Sequence, residues 1–246
     1  MITNSSTPQK LYLLQLSSTT VPIGPNRTLE MSLGCYLIQT SDAKNILIDT
    51  GIGPDAPLPP GTPKGRNTSN VIEQLAALNL RPADIDTVIC THFDMDHAGY
   101  NDAFPDAEHI VQREHYELAR SGYARLAASR SHWDHPALRY RLVDGDAELL
   151  PGLTLLETSG HVAGHQSVLV RLPQTGGVLL AIDAVMMQHT FTRDRKPWPH
   201  DDNEAQLIAS TAKLLDLVKR ENVALVVFGH DGAQWRILKK SPDYYS

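Results

Sequence analysis

Two cysteines in 246 residues cannot staple a fold, and both, Cys35 in SLGCYLI and Cys90 in TVICTH, lie in apolar runs where a thiol behaves as a small hydrophobe. No disulfide framework is expected. No apolar run reaches the roughly 20 residues of a membrane span, and the opening MITNSSTPQK lacks the apolar core of a signal peptide. Neither a membrane partner nor export is expected, and the chain reads as cytoplasmic. Positive charge is scarce as well: 22 Lys and Arg stand against 28 Asp and Glu, a net charge of -6, which argues against nucleic acid as a partner. The one basic cluster, Arg113, Arg120, Arg125, Arg130, Arg139 and Arg141, reads as solvated helix faces. Internal repeats and low-complexity linkers are also missing, so 1–246 is expected to form one domain; a homodimer is compatible with the sequence.

What is present is a succession of strand and helix patterns. LYLLQL (11–16), MSLGCYLIQT (31–40) and NILIDTG (45–51) read as strands. A Pro- and Gly-dense loop follows at 51–70. Helix periodicity then puts Val71, Ile72, Leu75 and Leu78 on one face, and DIDTVICTH (84–92) returns to strand. A short helix near 98–104, a strand at 108–113 and a helix over 114–140 come next. RYRLV, LTLLET, QSVLVRL and GGVLLAID predict a second group of strands, followed by the helix EAQLIASTAKLLDLVKREN and the buried strand ALVVFGHD. Strands in two groups, with helices between and after them, predict an α/β fold of two packed sheets covered by helices.

The chemistry concentrates in THFDMDHAG (91–99), where His92, Asp94, Asp96 and His97 fall within six residues just after a strand. In extended chain alternate side chains share a face, so His92, Asp94 and Asp96 can converge, and a turn lets His97 join them. Carboxylates crowded in this way repel and pay desolvation unless a cation joins them, which points to a divalent metal. Three further stretches beside strand ends hold candidates: His161 and His165 in GHVAGH, Asp183 in LLAIDA, and His230 in VVFGHD.

The ordered set LIDTG, THFDMDH, SGHVAGH, AIDA and FGHD resembles the metallo-β-lactamase superfamily from about Leu47 to Asp231, and within it most resembles the N-acyl-homoserine lactonases. The resemblance implies an αββα sandwich of two mixed β-sheets flanked by helices. It implies two divalent metal ions, in the first instance Zn2+, with His92, Asp94 and His161 at one, Asp96, His97 and His230 at the other, and Asp183 bridging. A metal-bridging hydroxide would open the ring of a small-molecule lactone, with Asp96 and Asp183 as the catalytic carboxylates. By the same resemblance Asp49 supports the ligands, and His165 is structural rather than ligating.

Two positions depart from the pattern. Asp94 stands where the family has His, an oxygen donor that would make the first site more anionic and open to Mn or Fe. Met186 stands where many of these lactonases carry a Tyr that binds the substrate carbonyl, leaving carbonyl activation to the metal or to another group such as Tyr116, Tyr123 or His189. Leu58, Tyr123, Trp133, Met186, Met187, Phe191 and Trp198 are expected to form an apolar groove for an acyl chain. The alternatives to a lactonase are a glyoxalase-type thioesterase, a β-lactamase, or a non-catalytic metal-binding module.

Overall fold

Period-two alternation sorts the apolar side chains of the strands onto two faces, and both faces are covered in the computed structural model, which describes residues 6–25, 27–56 and 68–246. Strands β1 (Pro8–Gly24), β2 (Arg27–Thr40), β3 (Asn45–Ile48), β4 (Thr87–Ile89), β5 (Glu108–Gln112) and β6 (Arg139–Val143) form one sheet in that order. It is antiparallel from β1 to β3 and parallel from β3 to β6. Strands β7 (Ala147–Leu150), β8 (Leu153–Glu157), β9 (Gln166–Leu172), β10 (Gly176–Ile182) and β11 (Leu225–Phe228) form the second, ordered β11-β10-β9-β8-β7, with β10 and β11 parallel.

Leu11, Leu13, Ile38, Ile46, Ile48 and Ile89 of the first sheet meet Leu155, Val168, Val170, Val178, Leu180 and Ile182 of the second in the central core. The intervening residues Tyr12, Leu14, Leu37, Leu47 and Val88 face outward, under Val71 and Leu75 of α1 (Val71–Ala77), Ala119 of α2 (Arg113–Arg120) and Trp133 of α3 (Arg130–Trp133). On the far side, Leu169, Leu179 and Phe228 pack with Leu214 and Leu217 of α4 (Glu204–Arg220). The layers run helix, sheet, sheet, helix, as the resemblance implied. None of the described helices is long and apolar enough to cross a membrane.

Several elements differ from the sequence reading. β1 and β2 run on into a hairpin arm, through SSTTVPIG paired with RTLEMS, where polar β-branched residues extend the ladder without apolar alternation. The helix expected over 114–140 is broken. Gly122 at φ +87° turns the chain after α2, a 3-10 turn spans Ala124–Ser129, and α3 is one turn long. The helix expected near 98–104 is a 3-10 turn at Asn101–Ala103. β7 and a terminal helix α5 (Gly232–Ile237) were not anticipated; α5 exists to seat Trp235, fully buried between the sheets, its ring against Tyr36 and close over Gly34.

The parallel strands β3, β4, β10 and β11 end on one edge of the sandwich, and there the backbone leaves its ordinary geometry. Asp49 after β3 has φ +60°, and Ile182, a β-branched residue at the end of β10, has φ +52°. Each such conformation costs on the order of 1–3 kcal/mol, and each turns the chain so that a carboxylate, Asp49 or the following Asp183, points into the edge.

Candidate metal centre

The turn after β4 is clamped before any side chain acts. Thr50 N–H donates to the His97 carbonyl at 2.7 Å, Gly99 N–H donates to Gly51 O at 2.7 Å, and His97 N–H closes on Asp94 O at 2.9 Å. Gly99 is required there, because a Cβ would lie 2.0 Å from Gly53 N. The clamp carries His92, Asp94, Asp96 and His97 to the sheet edge, where the turn between β8 and β9 brings His161, the end of β10 brings Asp183, and the end of β11 brings His230.

Two groups of donor atoms result, each lying within 4.8 Å of one another: His92, His161 and Asp183, and Asp96, His97 and His230. Asp183 touches both. Its Oδ2 is 3.4 Å from His161 Nε2, while its Oδ1 is 3.0 Å from His230 Nε2 and 3.6 Å from His97 Nε2. Asp94 is at the margin of the first group. Its Oδ2 lies 3.5 Å from His92 Nε2 and 3.3 Å from His161 Nε2, but the same carboxylate is gripped by Arg125.

All four imidazoles are turned the same way. His92 Nδ1 lies 3.0 Å from Thr91 Oγ1, His97 Nδ1 2.9 Å from Asp49 Oδ2, His161 Nδ1 2.9 Å from Asp201 Oδ1, and His230 Nδ1 3.0 Å from Ser32 O. Thr91 Oγ1 itself donates to Asp49 Oδ2, so Asp49 steadies His97 directly and His92 through Thr91. With each Nδ1–H given to an acceptor, the inward Nε2 atoms keep their lone pairs. His92 Nε2, His97 Nε2 and Asp183 Oδ1 are buried and have no hydrogen-bond partner. Orphaned ligand atoms of this kind, on two histidines hydrogen-bonded behind and on a carboxylate that faces His230, fit a divalent cation.

The electrostatics agree. Burial and the neighbouring His97 push His92 down to about 3, keeping it neutral. Burial would also lower His97, yet Asp183, Asp96 and Asp49 outweigh it and hold its pKa well above the ordinary value. His161 is raised to about 9, against burial, by its hydrogen bonds to Asp201 and Asp94. Burial would raise Asp183, but His230 and His97 hold it well below the usual carboxylate range. The carboxylates draw in positive charge, which protons or a metal can supply.

His165 does not join either group. Its Nδ1 is 2.9 Å from Thr158 Oγ1 and burial keeps it neutral, consistent with a structural role. Above the donors opens a cavity of about 600 Å³, walled by Met31, Leu33, Ile52, Met95, Tyr123 and Met186 on its apolar side. Of the residues expected in a groove, Tyr123 and Met186 line it; Trp133 instead stacks on Phe93 in the outer core, Phe191 packs on Phe228, and Met187 and Trp198 border other hollows. Leu58, with most of the 51–70 loop, lies outside the described residues. Of the three residues considered as replacements for the Tyr, Tyr116 packs against Tyr140 and His189 lies elsewhere, which leaves Tyr123 in the cavity wall.

The sequence pattern of the metallo-beta-lactamase superfamily matches residues 35–230, from Cys35 through the last of these histidines. The chain belongs to that superfamily. The chain is 33% identical to the N-acyl homoserine lactonase AiiA of Bacillus thuringiensis subsp. kurstaki over 97% of this chain and 99% of that one. The lactonase AttM of Azorhizobium caulinodans is 36% identical over 74% of this chain and 72% of its own. A solved N-acyl homoserine lactone hydrolase with N-hexanoyl-L-homoserine bound at its catalytic metal centre superposes with a TM-score of 0.84 at 30% identity, covering 97% of this chain and 100% of that one.

Sequence reasoning missed Asp201, whose side chain is fully buried beneath His161 and also accepts from Trp198 N–H at 2.7 Å. The buried Arg195 stands 3.6 Å from its other side. In the run HDDNE nothing separates Asp201 from the acids that commonly precede a helix. Its role arises from the fold-back of 198–203, where Asp202 N–H donates to His161 O and Asn203 N–H to Gly160 O.

Proposed function

We propose that this chain is an N-acyl homoserine lactonase that works with two divalent metal ions, Zn2+ in the first instance, and that 1–246 acts as one domain to which both sheets contribute ligands. The observation that carries the reading is the pair of donor groups meeting at Asp183 beneath a cavity that is apolar on one side and polar on the other. The likeness to AiiA over nearly the full length selects the lactone among the superfamily's substrates.

In this reading His92, His161, Asp183 and Asp94 hold one ion, and Asp96, His97, His230 and Asp183 the other. Metals so placed would polarise the ester carbonyl and lower the pKa of a water to about 7, supplying a nucleophile without Ser or Cys. The protein's own groups do the rest. Asp96, the more exposed carboxylate at 29%, takes up and releases protons at the cavity floor. The Tyr123 hydroxyl, which donates to Asp202 Oδ2 at 3.0 Å, is the group nearest in kind to the Tyr absent at Met186 and would turn from Asp202 to donate to a carbonyl of the substrate. Met31, Leu33, Ile52 and Met186 exclude water around the acyl chain. A cytoplasmic location belongs to the same proposal, since Cys35 and Cys90 are buried free thiols.

A pH-drop assay of the as-purified protein on homoserine lactones of graded acyl length, run beside a thioester and a β-lactam, tests this reading. Ring opening that outpaces both other substrates is expected. Cleavage of the thioester alone would install the glyoxalase-type alternative, and binding of metal without any hydrolysis would install the non-catalytic one.

Asp201→Asn tests the support of the ligands. It keeps the shape and a hydrogen-bond acceptor but removes the charge behind His161, so metal affinity is expected to fall about 10–100-fold with the fold retained. Chelator competition measures it, and unchanged affinity would remove Asp201 from the site.

A further inference from the structure

Five of the six arginines in the 113–141 region are surface residues, and those with ion pairs make exposed ones: Arg113 with Asp144, Arg120 and Arg130 with Asp134, Arg141 with Glu108. Arg125 is different. Its side chain is 18% exposed and faces the 16%-exposed Asp94, with Nε 2.8 Å from Asp94 Oδ1 and Nη2 bonded to Asp94 Oδ2. Nη1 donates to the carbonyls of His161 at 2.9 Å and His200 at 2.6 Å, and meets Asp202 Oδ1 at 3.1 Å. Nη2 also lies 2.6 Å from His161 Nε2, the atom that a metal would use.

We infer that Asp94 and Arg125 act as one electrically neutral unit in the first donor group, with Arg125 a positioning residue that holds Asp94 and restrains how tightly that group takes a divalent ion. The inference rests on the ligand set proposed above. The bidentate fork fixes the carboxylate in a single orientation beside His92 and His161. Its positive charge cancels the charge that Asp94 adds where the family pattern has a neutral His. The first site is therefore less anionic than Asp94 alone would make it, and its preference for Zn2+ over harder ions is preserved. Asp202 does not undo this balance, because it is more exposed, at 30%, and meets Nη1 on the side away from Asp94 and His161 Nε2.

The sign of the effect separates this role from a merely structural one. Arg125→Met leaves Asp94 uncompensated and frees His161 Nε2, so the first-group ion should bind about tenfold tighter or more, with Mn2+ gaining relative to Zn2+. Asp94→His leaves the guanidinium unbalanced, and binding should weaken by a similar factor. The double variant Asp94→His with Arg125→Met should return to within about threefold of the wild type, as should Arg125→Lys, which keeps the charge. Dissociation constants for Zn2+ and Mn2+ from chelator competition read all four. If Arg125 only braced the loops, both single variants would weaken binding and the double would be weakest, which would overturn the inference. Unchanged affinity in Arg125→Met would do the same. Should that variant not fold, the step from Asp94→His to the double variant carries the test, since affinity must rise there. Failure of the wild type to bind any stoichiometric metal would overturn the proposed ligand set along with this inference, whereas normal wild-type binding with the wrong sign in the variants overturns the inference alone.

Discussion

Asp183→Asn is expected to lower lactone hydrolysis by about a thousandfold or more and to empty both donor groups of metal. The substitution is nearly isosteric, so the loss reports charge and donor strength rather than packing. Asp183 is 3% exposed, and its two oxygens are shared among His161, His230 and His97. Removing its charge leaves His97 and His230 facing one another with Asp96 as the remaining acid in their group, and deprives the first group of the acid it shares with the second. Steady-state kinetics together with elemental analysis of the purified variant check this. Wild-type turnover at unchanged metal content would exclude Asp183 from the reaction centre.

Metal removal should cost stability as well as activity. Without a cation, Asp49, Asp94, Asp96, Asp183 and Asp201 crowd one edge of the sandwich, offset by protonated histidines, Arg125 and Arg195. A ligand present at about a hundred times its dissociation constant stabilises the fold by about 2.7 kcal/mol. For a chain of this length each kcal/mol shifts the melting temperature by roughly 2–4 °C. Dialysis against a chelator is therefore expected to abolish hydrolysis and lower Tm by about 5–10 °C, with both restored by Zn2+. Differential scanning calorimetry before and after stripping measures it, and a Tm indifferent to the chelator would mean that no ion is bound by the folded state.

The layers were legible because the strand patterns fall in two groups with helix patterns between and after them, and the resemblance supplied their order. In the structure Leu11 and Leu13 enter one core and Tyr12 and Leu14 the other, so both faces of that strand are buried. The donor residues were legible because each stands at a strand end in a short, distinctive context. What was illegible depends on the chain folding back on itself. Arg125 sat in a helical-looking basic run and was read with its neighbours as solvated; its partner Asp94 lies 31 residues earlier, and the break at Gly122 that aims it has no periodic signature. Asp201 looked like an acid preceding a helix, although the residue that caps α4 is Asn203. The hairpin arm was illegible for another reason. SSTTVPIG buries little, so its ladder is held by backbone pairing that composition does not advertise.

Anomalous diffraction from crystals of the as-purified protein addresses the metal centre most directly. Two peaks are expected, one within about 2.0–2.2 Å of the inward atoms of His92, His161 and Asp183, the other within the same distance of Asp96, His97 and His230. An absence of peaks at this edge of the sandwich, in crystals of protein that opens lactone rings, would contradict a metal-dependent reaction at these residues.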